Sequence, residues 1–254
     1  MSGGRLTIVG LGPGDPDWIT PAARAAVEDA TDIVGYAPYV ARLPERDGQT
    51  RHASDNRVEL DRARHALALA AAGRRVAVVS GGDPGVFAMA AAIMEALEDG
   101  EAAWRALDIR VEPGITAMLA AAARLGAPLG GDFCAISLSD NLKPWEVILA
   151  RLDAALAADF VICLYNPISK ARPWQLGAAL ERVAARDPQR PVIIARAVGR
   201  PDERIAIAPA CETRAEEADM ASLVMIGAST TRLVARDGAR PFVYTPRKVS
   251  GAAG

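Results

Sequence analysis

Two glycine-rich segments carry the most specific chemical signal in the chain: Gly10-Leu11-Gly12-Pro13-Gly14-Asp15-Pro16 and Ser80-Gly81-Gly82-Asp83-Pro84-Gly85. Each follows a short apolar run that reads as a β-strand, and the C-terminal edge of a parallel sheet is where ligands bind. Glycine removes side-chain bulk and lets a ligand approach the main chain. A plain tight turn is the alternative for the first loop. That loop is not a dinucleotide fingerprint. Asp15 stands where GxGxxG needs its third glycine, the next helix starts only near Thr20, and Tyr36 instead of a carboxylate closes the second strand. A P-loop is excluded as well, because no Gly-Lys-Ser/Thr occurs.

Asp83 adds one carboxylate among backbone amides. Such a loop suits a ligand with an ammonium, a carboxylate and ribose hydroxyls, of which S-adenosylmethionine is an example. The same side chain is placed to cap the following helix. Nucleophilic catalysis has no support, since there is no GxSxG elbow and Ser80 has no candidate His partner. With only His52 and His65, and no close Cys/His pair, no metal site is expected. Cys134, Cys163 and Cys211 are odd in number and far apart, as free thiols in a reducing cytoplasm would be.

These residues sit in a chain of 254 residues with net charge −2, 51% of it hydrophobic. That length suits one large domain or two smaller ones. No apolar run reaches the ~18 residues of a membrane span. Met1 to Arg5 leads into a strand and not a signal peptide, so a cytoplasmic protein is expected. A mildly acidic chain without a Lys/Arg tail argues against nucleic acid as a partner.

Strands are expected over Arg5 to Val9, Asp32 to Tyr36, Arg75 to Ser80 and Ile109 to Glu112. Helices are expected between them, from Thr20 and Pro21 to Ala30, from Val58 to Ala72 with Gly73 ending it, and from Val86 to Glu98. A Pro- and Arg-containing loop separates the second strand from the second helix. Such alternation implies a largely parallel sheet with helices on its faces. The pattern shifts after Pro113. A helix from Thr116 to Arg124 leads into a boundary stretch at Gly126, Pro128, Gly130 and Gly131. Strands Phe133 to Leu138, Phe160 to Tyr165 and Val192 to Ala197 then alternate with helices Pro144 to Ala157 and Trp174 to Ala185. Short strands at Arg204 to Ile207, Leu223 to Ile226 and Phe242 to Tyr244 suggest antiparallel pairing. The expected fold class is α/β, with two α/β domains, 1–115 and 116–254, the first mostly parallel and the second with a mixed sheet.

With both loops in view, the chain resembles the class III, tetrapyrrole-type methyltransferases. The resemblance covers nearly the whole chain and rests on GxGPGD at Gly10 to Asp15, GDPxxF at Gly82 to Phe87 and Pro-Gly-x-Thr-Ala at Pro113 to Ala117. Further blocks are similar to the precorrin-3B C17-methyltransferases of cobalamin synthesis. They are Gly35 to Val40, Ser137 to Asp140 continuing through Pro144-Trp145-Glu146 to Arg151-Leu152, Tyr165-Asn166-Pro167 with Ser169, Lys170 and Arg172, Asp219-Met220, and Thr245-Pro246-Arg247. The chain departs from that pattern at Lys248-Val249, where the family shows Gly-Tyr, and at Gly131, where a His is common.

The resemblance implies S-adenosylmethionine bound in a cleft between the two domains. With the two glycine loops, it points to Pro13, Gly82, Asp83, Val86, Thr116, Ala117, Tyr165 and Ala197 as cofactor-binding residues. It implies an anionic tetrapyrrole, precorrin-3B, methylated at C17 with extrusion of C20 and contraction to precorrin-4, on a homodimer. The substrate carboxylates call for positive charge, for which arginine forks are well shaped. Lys143, Asn166, Lys170, Arg172 and Arg247 are the expected substrate-binding residues, with Arg42, Arg46, Arg51 and Arg57 as a second basic group. Proton handling during contraction points to Asp15, Ser139, Asp140 and Tyr165. Two alternatives share these features: a cobalt-factor III C17-methyltransferase of the oxygen-independent pathway, and a tetrapyrrole carrier without catalysis.

Overall fold

The computed structural model describes residues 4–55 and 58–248. Arg57 and Val249, named above, lie outside the described residues. The chain divides into two compact units, Met1–Thr116 and Ala117–Gly254.

In the first unit, β1 (Arg5–Gly10), α1 (Pro21–Asp29), β2 (Asp32–Tyr36), α2 (Ala37–Val40), β3 (Thr50–Ser54), α3 (Glu59–Ala71), β4 (Arg75–Ser80), α4 (Met89–Asp99) and β5 (Asp108–Glu112) follow one another. The sheet has the order β3-β2-β4-β1-β5 and every pairing is parallel. Strand alternation divides the apolar side chains between two layers. Leu6 and Ile8 of β1 and Val76 and Val78 of β4 meet Ala63, Leu67 and Ile93 from α3 and α4. Val9, Ala77 and Val79 face the opposite way, onto Ala23 and Val27 of α1. Thr20 caps α1 by accepting from Ala23 N at 3.1 Å, with Pro21 in the first turn. Gly73, at φ +86°, follows the end of α3.

The local pattern missed α2 and β3, which lie in the expected loop. Thr-Arg-His-Ala-Ser is too polar to announce a strand, and β3 exists because it pairs along β2 at the sheet edge. The helix expected from Val86 begins three residues later, at Met89.

In the second unit, α5 (Ala117–Leu125), β6 (Gly126–Ala127), β7 (Phe133–Ser137), α6 (Trp145–Ala157), β8 (Val161–Tyr165), α7 (Gln175–Arg186), β9 (Pro191–Arg196), β10 (Arg204–Pro209), β11 (Ser222–Ile226), β12 (Arg232–Arg236) and β13 (Ala239–Tyr244) occur in that order. The main sheet runs β10-β9-β11-β8-β7, with β7 and β8 parallel and the other pairs antiparallel. Ile162, Leu164, Ile194 and Val224 pack there against Ile148 and Leu152 of α6 and Leu176, Leu180 and Val183 of α7. A smaller sheet, β12-β13-β6, is also mixed. Strand β12 was not expected from the sequence; all five of its residues are exposed, so no apolar alternation marks it. The α/β class, with one parallel and one mixed sheet, is as the sequence led us to expect.

The three cysteines are free. Burial, reinforced by neighbouring Cys134, pushes the Cys163 thiol up to about 12. No helix among the described residues is long and apolar enough to cross a membrane.

Candidate active site

Three loops meet at the C-terminal ends of β1, β4 and β5. Gly12 donates to Gly82 O at 3.1 Å and Gly82 donates back to Gly12 O at 2.9 Å, while Leu11 donates to Ser80 O at 2.9 Å. Gly12 and Gly82 have φ of +64° and +68°, a region that glycine enters at little cost. The third loop, at Gly114, is closer still. A Cβ on Gly114 would lie 2.2 Å from Gly82 O, and one on Gly10 would lie 2.6 Å from Gly114 N. Gly10 and Gly114 are required by the close approach of loop to loop, and Gly12 and Gly82 by their positive φ.

Asp83 ties the same loops together. Its Oδ1 accepts from Gly85 N at 2.8 Å and its Oδ2 from Gly114 N at 3.0 Å. It does not cap α4, whose N-cap is Ala88. A carboxylate has more than two lone-pair sites, so Asp83 still has acceptor capacity for an ammonium or ribose hydroxyl. Pro13, Gly82, Asp83 and Val86 are half-buried and Thr116 is buried, so this edge combines apolar surface with acceptors. That mixture fits S-adenosylmethionine. Phe87, the aromatic of the GDPxxF block, is 48% exposed and held at φ +53°, a backbone strain of the kind found at functional sites.

Asp15 accepts from Asp17 N at 2.9 Å and so caps the short turn Pro16–Trp18. The arginines after β2 also serve the backbone. Arg42 donates to Leu11, Gly12 and Gly14 carbonyls at 2.8, 3.0 and 3.2 Å, bracing the first glycine loop from below. Arg51 donates to Val40 and Leu43 carbonyls at 3.1–3.2 Å and also to Pro44 O. Arg46 pairs with Glu28 at 2.8 Å. The role of Arg42 escaped the sequence reading, because its partners lie about thirty residues upstream.

In the second unit, β7 and β8 run parallel with Ser137 opposite Tyr165, so the residues that follow each strand emerge together. Ser137 Oγ accepts from Ser139 N at 3.3 Å and Asn166 Nδ2 at 3.0 Å. Asn166 adopts φ +51°, which asparagine tolerates better than most residues. Tyr165 Oη accepts from Met118 N, in the first turn of α5, at 3.1 Å. Asp140 accepts from the buried Gln175 at 2.9 Å. Arg172 is only 6% exposed and donates to Asn166 O at 2.9 Å. That geometry makes it a strut beneath the loop.

Lys143 is half-buried, and burial, with Arg151 adding repulsion, lowers its ammonium below the ordinary 10.5. Lys170 and Arg247 are exposed. Ala117 opens α5, and Ala197 follows β9 at φ +52°, donating to Ala221 O at 2.9 Å. No cluster of metal-ligating side chains occurs among the described residues.

Residues 5–213 match the model of the tetrapyrrole (corrin/porphyrin) methylases. A precorrin-3B C(17)-methyltransferase from a Sinorhizobium species is 60% identical over 250 residues, 98% of this chain and 98% of that protein. A probable cobalt-factor III C(17)-methyltransferase from Salmonella typhimurium is 38% identical, over 95% of this chain and 98% of that one. The crystal structure of the methyltransferase CobJ superimposes with a TM-score of 0.91 at 54% identity, covering 96% of this chain and all of that one. With a family model spanning most of its length and relatives matched from end to end, the chain belongs to the tetrapyrrole (corrin/porphyrin) methylase family.

Proposed function

We propose that the protein transfers a methyl group from S-adenosylmethionine to C17 of precorrin-3B, with contraction of the ring to precorrin-4, in cobalamin synthesis. The observation that carries this reading is the 60% identity, over 98% of both chains, with a precorrin-3B C(17)-methyltransferase. The cobalt-factor III relative covers the same span at 38%. A homodimer acting in the cytoplasm belongs to the same reading.

When bound, S-adenosylmethionine supplies an already activated methyl group. The chain therefore has to orient the two reactants and exclude water, and positioning of this kind can provide much of a rate enhancement. Pro13, Gly82, Val86, Thr116, Ala117 and Ala197 offer backbone and small apolar surface to the cofactor, and Asp83 offers an acceptor. Lys143, Lys170, Asn166 and Arg247 meet substrate carboxylates and carbonyls, while Arg172 acts through Asn166. Tyr165, whose Oη accepts from Met118 N, is the candidate proton donor. Asp140, held by Gln175, is the complementary acceptor, with Asp15 and Ser139 the other candidates for proton handling.

The test is incubation of the pure protein with methyl-labelled S-adenosylmethionine and either cobalt-free or cobalt-bearing precorrinoid, with the label located by NMR. Label on C17 of a contracted, cobalt-free product is expected. Turnover of the cobalt-bearing substrate alone would favour the cobalt-factor III reaction. Binding of both reactants without transfer would make the protein a carrier.

A further inference from the structure

We propose that a cavity of about 380 Å³ beside the first glycine loop receives one carboxylate-bearing pyrrole edge of the tetrapyrrole. This rests on the substrate reading given above. The volume is within the range of small-molecule sites, about 300–1,000 Å³. Leu11, Ile19, Val27 and Leu43 make apolar walls, and Arg24, Arg42 and Arg46 line it against a single carboxylate, Glu28.

Apolar walls with basic side chains among them match a flat heterocycle edged with carboxylates. A free inorganic anion would have no use for the apolar walls. Leu11 and Gly14 belong to the glycine loop itself, so an occupant lies against the segment assigned to the cofactor. The three arginines differ in what they can contribute. Arg42 is committed to the carbonyls of Leu11, Gly12 and Gly14. Arg24 donates from Nη2 to Pro16 O at 3.0 Å; a guanidinium has five N–H donors, so its fork can still take a carboxylate. Arg46 is held by Glu28 at 2.8 Å, with both side chains more than 40% exposed. The Glu28 carboxylate therefore competes with an incoming one for Arg46, which gives the site a testable sign.

The probe is uroporphyrin, an octacarboxylate porphyrin, whose binding to the full chain is followed by equilibrium dialysis. Its affinity is expected to fall about tenfold or more in the double variant Arg24→Gln/Arg46→Gln, as for loss of charge-assisted hydrogen bonds. Glu28→Gln is expected to bind about two- to fivefold tighter, the scale of an exposed ion pair. Arg64→Gln, which removes one positive charge from an exposed position on α3, is the control for each single substitution and should bind as wild type does. With precorrinoid as substrate, the double variant should raise KM and leave kcat and S-adenosylmethionine affinity nearly unchanged. Wild-type porphyrin affinity in the double variant, or weaker binding in Glu28→Gln, would overturn the cavity proposal. A wild-type protein that binds the porphyrin but methylates no precorrinoid would overturn the reaction reading and leave the cavity standing.

Discussion

Gly12 and Gly82 exchange a pair of backbone hydrogen bonds, each donating to the other at 3.1 and 2.9 Å, as an isolated antiparallel bridge above a sheet that is otherwise wholly parallel. The bridge joins the loops after β1 and β4, two neighbouring strands, and Asp83 extends the connection to the loop after β5. The C-terminal edge of the parallel sheet in the first unit is thus a single hydrogen-bonded assembly of three segments.

Gly114→Ala should break that assembly. Its Cβ would lie 2.2 Å from Gly82 O, a backbone atom that cannot turn aside. A loss of about 1–3 kcal/mol is expected, the usual scale of overpacking. Denaturant unfolding should show it, and calorimetry should show weaker S-adenosylmethionine binding. An unchanged midpoint would mean that the loops separate at little cost.

Asp83→Ala strands the N–H groups of Gly85 and Gly114. Each amide left without a partner costs about 1–3 kcal/mol if buried and less where water reaches it. Asp83→Asn keeps one acceptor oxygen and should lose about half as much. If both variants melt like wild type yet bind the cofactor weakly, the carboxylate serves the ligand and not the loops.

For Arg172→Ala, destabilisation of about 1–3 kcal/mol is expected, because Asn166 O loses its buried donor. Arg172→Lys should recover little of it, since an ammonium lacks the planar fork. A variant with wild-type stability and impaired precorrinoid binding would return Arg172 to the substrate.

Acid sensitivity should centre on Asp32. Burial alone would raise its pKa, but hydrogen bonds from Arg74 at 2.7 Å, His52 at 2.9 Å and Thr31 at 2.7 Å outweigh it and hold the carboxyl below the ordinary 3.8. A depressed folded-state pKa contributes stability that is complete above the unfolded value, near 4, and is lost as pH falls through the folded value. Urea melts should therefore show wild type losing stability progressively below about pH 4. Asp32→Asn should be less stable at neutral pH and flatter across that acid interval; equal slopes would show that other carboxylates govern it.

Tyr165→Phe and Asp140→Asn test proton handling. At least one should slow ring contraction by about 10²–10⁴-fold, the usual span for general acid–base catalysis, and accumulate a ring-intact intermediate. Quenched single turnovers, read by mass and absorbance, would reveal it. Contraction at wild-type rate in both would move the role to Asp15, Ser139 or the substrate itself.

Regular elements were legible wherever local signals agreed. The apolar run Arg75–Ser80 emerged as a strand with those same ends, and the Thr20-Pro21 pair marked the start of α1 because the cap is made by residues three apart. β3 and β12 were not legible, since each is polar or exposed and is held by a neighbour in the sheet. The motifs likewise announced glycine loops and a carboxylate at strand ends. What these residues do to one another depended on tertiary contact: Asp83 with Gly114, Arg42 with Gly12 and Arg172 with Asn166. A sequence records that a glycine lacks a side chain or that an arginine has a fork. Only the folded chain decides whether that space is taken by a ligand or by another loop, and whether the fork meets a carboxylate or a backbone carbonyl, because close approach and desolvation are properties of the assembled surface.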